Sequence, residues 1–382
     1  MYYMPAKEDA QMQEISVREE AGRRGLTRRD FLKFCSLMAG VLAMPQSITP
    51  RIVKALEAPK RTPLIWLEFQ DCAGNSEAFL RASRPTAAEV ILDILSVDYH
   101  ETIMAAAGNL AEEAKEATIK QGGYLLVVEG SIPMGENGAY CCVAGRSAKD
   151  LLEEAAAGAI AIVAIGSCAA FGGLPQANPN PTGAVGVMDL IKDKPVLNLP
   201  GCPCNPVNLT ATVVHFLTFN ELPAMDDLHR PLFAYGARIH DNCPRRGHFD
   251  AGEFVTAWGD EGHRKGWCLY KMGCKGPVTF HNCPAVEYND GTSWPIKSGH
   301  GCIACSEPGF WDLGIYNQAD LTAYGFAPPT TYAPVQQPAA QMDPVSAGLI
   351  GAAAGVAIGA AGVGAYRALS KPDQQEPAEK EG

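Results

Sequence analysis

The sequence predicts an α/β protein. A doubly wound parallel sheet is followed by an irregular segment stabilised by metal ligation, and a transmembrane helix lies near the carboxyl end. Three observations support this prediction. Short apolar runs alternate with helix-forming segments between about residues 60 and 235. Periodicity then disappears up to about residue 325, while cysteine, glycine, proline and aromatic residues accumulate. The third observation is an uncharged stretch from Val345 to Tyr366.

The composition argues against several classes of protein. The chain has 382 residues, enough for two domains with hydrophobic cores, and its formal charge of −11 argues against nucleic acid as a partner. Its 13 cysteines are an odd number, so an exported form keeps at least one outside any intramolecular disulfide. One Cys-x-x-Cys pair occurs, Cys302 with Cys305, which disfavours a structural zinc site.

The amino-terminal segment is similar to a twin-arginine export signal. Residues 1–27 are polar and charged, which predicts disorder, and Arg28-Arg29-Asp30-Phe31-Leu32-Lys33 follows them. The apolar stretch from Phe31 to Met44 is too short to span a membrane. Val53-Lys54-Ala55 fits the small-x-Ala rule for cleavage. We therefore expect residues 1–58 to be a signal peptide that the Tat translocase recognises.

The α/β region contains four predicted strands, each a short run of apolar residues. Helices are predicted between them. A capping box opens one helix, and a serine followed three residues later by an acid opens another. The strands are Leu64–Phe69, Tyr124–Val128, Ala159–Ile165 and Pro195–Leu199. The helices follow Thr86-Ala-Ala-Glu89, with Val90, Ile91, Ile94 and Leu95 as the apolar face, and Ser147-x-x-Asp150, through Ala157.

Three cysteines follow the ends of predicted strands. They are Cys72, Cys168 and Cys202. The carboxyl ends of strands in an open parallel sheet converge on one crevice, so these side chains are expected to meet. Flanking glycines let the backbone approach inorganic sulfide and donate N–H bonds to it. The alternative is three separate structural cysteines.

A denser set of sulfur ligands follows in the irregular segment. Thiolates are the preferred ligands of iron–sulfur clusters, and histidine can replace one of them. The alternating short and long gaps indicate more than one inorganic centre, and metal–ligand bonds supply stability where a regular core is missing. The residues are His240, Cys243, Cys268, Cys274, Cys283, Cys302 and Cys305.

The carboxyl-terminal part predicts a membrane anchor. A Pro/Gln/Ala-rich linker at 326–344 precedes a helix at 345–369, whose uncharged part reaches about 33 Å, against a bilayer core of about 30 Å. The basic residues that follow place the tail, 370–382, in the cytoplasm. A buried soluble helix is the alternative. A face of small residues suits packing on another transmembrane helix, formed by Gly351, Gly355 and Gly359.

Many motifs, in order along the chain, resemble the small subunit of NiFe hydrogenases. The resemblance covers residues from about 60 to 315, and the leader and terminal helix fit the membrane-bound, quinone-linked uptake branch. The motifs are Trp66-Leu67, Cys72-Ala-Gly-Asn-Ser-Glu77, Val128-Glu-Gly-Ser-Ile-Pro133, Gly-Ser-Cys168-Ala, Pro200-Gly-Cys-Pro203, Arg238-Ile-His240-Asp-Asn-Cys243, His248-Phe-Asp-Ala-Gly252, Trp267-Cys-Leu-Tyr-Lys-Met-Gly-Cys274-Lys-Gly and Gly299-His-Gly-Cys302-Ile-Ala-Cys305.

The resemblance implies three clusters, held by three sets of ligands. A proline, for which Pro295 is the candidate, stands where the medial cluster would have a fourth ligand. Histidine in place of a thiolate removes a negative charge and raises the potential of the exit cluster. The sets are Cys72, Cys168 and Cys202 for a proximal 4Fe–4S cluster; Cys283, Cys302 and Cys305 for a medial 3Fe–4S cluster; and His240, Cys243, Cys268 and Cys274 for a distal 4Fe–4S cluster.

The resemblance also implies the function and the partners. A flavodoxin-like domain at 59–235 would hold the proximal cluster, and an iron–sulfur domain at 236–325 the other two. Electrons from H₂ oxidation at a nickel–iron centre in a separate large subunit would pass to a membrane quinone or cytochrome. Further expected partners are an integral-membrane quinone-reactive subunit and a ferredoxin-like subunit, at the periplasmic face of the inner membrane.

The chain itself has no catalytic residue. It lacks the Cys-x-x-Cys pairs that hold nickel in the large subunit, so hydrogenase activity requires that subunit. An alternative function is a non-catalytic iron–sulfur interaction subunit of another membrane redox complex. The full medial and distal ligand sets argue against it. A zinc-stabilised structural protein is a third hypothesis.

One position departs from the family pattern. The family usually has cysteine where Asn75 stands, and that cysteine is the fourth proximal ligand. An amide oxygen is a poor ligand for iron in a sulfide cluster. Either Asn75 ligates weakly or leaves an exchangeable iron, or Cys204, which replaces a usual proline, reaches the same iron.

The remaining cysteines and two glutamates have less specific interpretations. Cys141 and Cys142 are interpreted as packing thiols, and Cys35 belongs to the leader. Glu77 and Glu129 lie near the predicted proximal crevice. They either orient ligands, face the large subunit or are ordinary solvated or ion-paired glutamates.

Overall fold

A computed structural model describes residues 28–57, 61–82, 94–319 and 321. These residues belong to one compact unit that extends to residue 330. In this described part of the chain, no helix is long and apolar enough to cross a membrane. The predicted linker, transmembrane helix and tail, as well as the predicted disordered leader at 1–27, lie outside the described residues.

Five parallel strands form the central sheet. Their order, β2-β1-β3-β4-β5, is the flavodoxin-like order of a doubly wound fold. All four strands expected from sequence are present, with ends within two residues of the prediction. The strands are β1 (Thr62–Glu68), β2 (Leu95–His100), β3 (Tyr124–Glu129), β4 (Ala159–Ile165) and β5 (Val196–Leu199).

The edge strand β2 was not expected from sequence. Leu95 was assigned to the apolar face of a helix, and this prediction is wrong because Leu95 begins β2. The pairing of β2 with β1, which places Val97 opposite Leu64, outweighs the helical spacing of the residues before it. The predicted capping box at Thr86 lies outside the described residues.

Helices cover both faces of the sheet. Leu64 and Trp66 of β1 belong to one hydrophobic core, and the alternate residues Ile65 and Leu67 belong to the other. The predicted cap of the helix Ala148–Gly158 is confirmed, because Ser147 Oγ accepts a hydrogen bond from the backbone N–H of Asp150 at 3.2 Å. The longer helices are α1 (Arg28–Val41), α2 (Thr49–Leu56), α3 (Gly74–Leu80), α4 (Asn109–Gln121), α5 (Ala148–Gly158), α6 (Gly166–Phe171) and α7 (Pro206–Phe219).

The two amino-terminal helices pack on the α/β fold beside α7. Cys35 and Met38 of α1 are fully buried, as is Ile52 of α2. The guanidinium carbon of Arg51 lies 4.4 Å from the centre of the Phe219 ring at the end of α7. The segment that fits the cleavage rule, 53–55, therefore lies within a packed helix.

The segment from 236 to 319 has few regular elements, as expected. Within it, the described helices are short, and a small core forms around Ile239, Leu269 and Trp294. Arg230 joins this segment to the α/β region, since its guanidinium donates to Glu307 at 3.0 Å and to the Ser306 carbonyl at 3.1 Å. The short α-helices among the described residues are Val187–Leu190, Leu232–Tyr235, Arg246–Asp250, Glu261–Lys265 and Cys283–Val286.

Candidate metal centres

The first group of thiols, Cys72, Cys168 and Cys202, lies at the carboxyl edge of the sheet. Cys72 precedes α3, Cys168 is in the first turn of α6 directly after β4, and Cys202 follows β5. Burial raises the pKa of the Cys168 thiol to about 12, and the neighbouring Cys202 and Cys72 raise it as well. The three side chains are therefore electrostatic neighbours, although a long stretch of chain separates them. We call them the sheet-edge group.

The second group, Cys283, Cys302 and Cys305, lines a cavity of about 540 Å³. Pro295 lines the same cavity. His281 Nδ1 lies 3.0 Å from the Cys283 sulfur, a polar contact to a candidate ligand that sequence reasoning missed. We call the three cysteines the central group.

The third group, His240, Cys243, Cys268 and Cys274, lines a smaller and more enclosed cavity. The His240 ring packs edge-on against Phe249, with 4.5 Å between ring centres. Burial, together with the positive charge of Arg246, lowers the pKa of His240 to about 4. Its imidazole is therefore neutral near pH 7, which is the form that binds metals. We call these residues the histidine group.

Two contacts join the three groups into one series. The hydroxyl of Ser167, the residue before Cys168, donates to the carbonyl oxygen of Cys305, and Cys202 lines the same cavity as the central group. The sheet-edge and central groups are therefore neighbours. The backbone N–H of Cys302 donates to the sulfur of Cys274 at 3.3 Å, which joins the central and histidine groups.

The residues present fit iron–sulfur clusters. Burial raises the pKa of the thiols of Cys268 and Cys274 to about 12, so a thiolate is stable there only when a cation binds it. Sulfur with a single imidazole is a donor set for iron–sulfur or zinc centres and does not suit calcium or magnesium. Three such sets in contact favour a series of redox centres over isolated structural zinc.

Asn75 does not stand free beside the sheet-edge group. Its side-chain N–H donates to Glu129 at 3.0 Å, and its carbonyl oxygen accepts the backbone N–H of Cys204 at 2.8 Å. Cys204 is buried, with 1% of its surface exposed, and belongs to the hydrophobic core on one face of the sheet. The two residues considered for the fourth proximal position therefore contact each other.

A buried acidic network lies behind Asn75. Oxygens of Glu68, Asp71 and Glu129 lie within 4.8 Å of one another. The Ser76 hydroxyl lies 2.8 Å from Glu68 and 2.7 Å from Glu129. Sequence reasoning placed Glu129 near this crevice but missed the others. The parallel register that sets Glu68 opposite Glu129 at the ends of β1 and β3 was the available signal.

The buried acidic network does not include Glu77, Cys141 or Cys142. Glu77 is exposed, pairs with Arg81 at 3.2 Å and borders the large cavity. Cys141 packs, partly buried, against the core between the sheet and α5, as expected of a packing thiol. Cys142 is exposed in a two-residue strand, so its interpretation as a packing thiol is wrong.

Two family models match the chain. Residues 235–316 match the model for the carboxyl-terminal part of the NiFe/NiFeSe hydrogenase small subunit, and residues 72–216 match the model for the 20 Kd subunit of NADH ubiquinone oxidoreductase. The boundary between the two matches falls where the regular α/β pattern ends. The first match contains the histidine and central groups, and the second contains the sheet-edge group.

Individual relatives agree with these matches. The chain is 50% identical over 296 residues to the Hydrogenase-1 small chain of Escherichia coli K12, which covers 77% of this chain and 80% of the relative. It is 46% identical over 333 residues to the uptake hydrogenase small subunit of Azotobacter vinelandii, with 87% and 91% covered. The structure of the Ni-Fe-Se hydrogenase from Desulfomicrobium baculatum matches with a TM-score of 0.64 and 33% identity, over 68% of this chain and 100% of that one.

A flavodoxin-like sheet that carries contacting groups of sulfur ligands defines an iron–sulfur electron-transfer protein. The chain belongs to the NiFe hydrogenase small-subunit family. It carries iron–sulfur clusters, transfers electrons, and supports hydrogenase activity together with the large subunit.

Proposed function

We propose that the chain relays electrons from H₂ oxidation in the large subunit, through three clusters, to a membrane quinone or cytochrome. The sheet-edge group holds the proximal 4Fe–4S cluster and the histidine group the distal one. The central group holds a medial 3Fe–4S cluster. When bound, the clusters supply one-electron redox chemistry, and the protein sets their spacing, burial and hydrogen bonding.

The observation that carries this proposal is the unbroken contact between the three groups. The Ser167 hydroxyl, beside Cys168, donates to the Cys305 carbonyl, and the backbone N–H of Cys302 donates to the sulfur of Cys274. Hydrogen bonds of the protein therefore connect consecutive groups. Such a series is suited to electron transfer, whereas isolated structural metals need no contact.

The residues around the central and histidine groups support the proposed assignment of ligands. Pro295 borders the central group, and proline offers iron no side-chain ligand atom, which favours a cluster with three iron atoms. Neutral His240 replaces one negative thiolate in the histidine group. This raises the reduction potential at the exit end of the series and favours electron flow towards it.

The proposed organisation follows the sequence. Residues 1–58 form a Tat signal peptide, 59–235 the flavodoxin-like domain and 236–325 the iron–sulfur domain. A linker at 326–344 leads to a transmembrane helix at 345–369 and a cytoplasmic tail at 370–382. The enzyme then lies at the periplasmic face of the inner membrane, with an integral-membrane quinone-reactive subunit and a ferredoxin-like subunit as further partners.

Replacing Cys302 by alanine tests the proposed medial cluster. A thiol is lost from a group of three, so the oxidised 3Fe–4S signal in the electron paramagnetic resonance spectrum of the heterodimer is expected to disappear. Cys142→Ala is the matched control, because Cys142 is exposed and lies in a separate two-residue strand. An unchanged 3Fe–4S signal in Cys302→Ala would exclude the central group as its ligands.

Truncation after Met342 tests the proposed anchor. Removing the apolar helix is expected to release nearly all of the heterodimer from the membrane pellet, still reducing a soluble dye but uncoupled from quinone. Deleting only residues 372–382 is the control and should leave the enzyme in the membrane. Truncated enzyme that stays in the pellet, with no other anchor present, contradicts the proposed span.

A further inference from the structure

The amide of Asn75 is held by hydrogen bonds at both ends. Besides the contacts of its side chain to Glu129 and Cys204, its backbone N–H donates to the same Glu129 oxygen at 2.9 Å. These partners fix the orientation of the amide, because its NH₂ must face the carboxylate and its oxygen must face the N–H. Asn75 itself is buried.

The surroundings leave the amide little freedom to turn. A Cβ built on Gly166 would lie 2.5 Å from the Asn75 side-chain nitrogen, so the amide packs directly on the backbone at the start of α6. Turning the oxygen towards a metal would leave the buried N–H of Cys204 without its acceptor and would take one donor away from the buried carboxylate of Glu129. The amide is therefore suited to bridging two segments and poorly suited to ligation.

The Cys204 side chain packs in the hydrophobic core on one face of the sheet. Its thiol is buried in the core that contains Leu199 and Leu209, and its sulfur lies 3.5 Å from the carbonyl oxygen of Asn205. Near the sheet-edge group, Cys204 contributes its backbone N–H, which donates a hydrogen bond to the side-chain oxygen of Asn75.

We propose that Asn75 is a positioning residue that ties Glu129 to the Cys202–Cys204 turn, and that the sheet-edge group binds its cluster through three thiolates alone. This inference rests on the proposed proximal site. The fourth iron then has no protein ligand, is held only by sulfide and solvent, and is the iron most easily lost. The sequence left Asn75 and Cys204 as candidates for the fourth ligand, and in this arrangement neither residue binds iron.

The test is iron retention in the intact heterodimer, purified without oxygen and treated with ferricyanide and EDTA. Loss of Fe²⁺ from an oxidised 4Fe–4S cluster, with one further electron passing to ferricyanide, leaves a 3Fe–4S cluster that is visible by electron paramagnetic resonance. The wild type is expected to lose one iron per heterodimer and gain a second 3Fe–4S signal. Asn75→Cys is expected to keep that iron, because it supplies a fourth thiolate.

Cys204→Ala is the matched variant, since it removes the thiol and keeps the backbone N–H that Asn75 accepts. It should lose iron at the wild-type rate. Faster loss in Cys204→Ala, or wild-type enzyme that retains its iron as well as Asn75→Cys does, would overturn the inference. Cys168→Ala distinguishes failure of the proposed proximal site from failure of the three-thiolate inference. If it leaves every cluster signal intact, the proposed proximal site itself fails. If it removes one cluster while the wild type holds its iron, only the three-thiolate inference fails.

Discussion

His240→Ala is expected to slow electron transfer from H₂ to a dye by a factor on the order of 100. His240 is the only imidazole in the histidine group among the described residues, and alanine offers no ligand in its place. Exchange of H₂ with deuterated water occurs at the nickel–iron centre of the large subunit, so it should continue near the wild-type rate. Both rates are measured on the same purified heterodimer.

Two further variants make this result specific. His248→Ala removes a half-exposed histidine that pairs with Glu253, and it should leave both rates near wild type. His240→Cys restores a ligand and should retain the cluster, but at a lower reduction potential because a thiolate adds negative charge. Dye reduction in His240→Ala that matches the wild type would show that electrons leave the protein by another route.

Glu129→Ala is expected to destabilise the protein by about 2–5 kcal/mol, because buried hydrogen-bond donors lose their acceptor. The fully buried carboxylate accepts hydrogen bonds from the Trp66 indole at 3.1 Å and from Asn75 and Ser76. Without it, several buried donors lose their acceptor, and each such loss costs about 1–3 kcal/mol. Thermal unfolding of the heterodimer should show a midpoint several degrees lower.

Glu77→Ala is the control for this loss of stability. Glu77 sits on α3, close in sequence to Asn75, but its pair with Arg81 is exposed to solvent and contributes at most about 1 kcal/mol. A thermal midpoint in Glu129→Ala equal to that of Glu77→Ala would show that the buried carboxylate is not the centre of the network at the sheet edge.

The sheet was predictable where local pattern and tertiary pairing agree. The runs that form β3 and β4 consist of apolar residues buried on both faces, so their sequence alone marks them. Strand β2 was missed because its polar residues lie at the edge and because helical spacing precedes it. Helix α7 was missed for the opposite reason, since it is apolar on nearly all sides and shows little periodicity.

The sequence was sufficient to predict which residues are candidate ligands, but not the hydrogen bonds that surround them. Thiols that follow strand ends must approach each other in a parallel sheet, which placed Cys72, Cys168 and Cys202 together. The bridge from Glu129 through Asn75 to Cys204 depends on side-chain rotamers across segments 54 and 129 residues apart in sequence. No local spacing encodes such contacts, and the same holds for His281 beside Cys283.

The central claim is a series of three clusters, held by the three contacting groups, for each nickel–iron centre. The most direct measurement is a redox titration of the intact heterodimer, followed by electron paramagnetic resonance, with nickel, iron and sulfide determined on the same sample. Three separately titrating clusters per nickel are expected, one of them a 3Fe–4S cluster that is visible when oxidised. A single cluster per nickel, or zinc in place of iron in the small subunit, would contradict it.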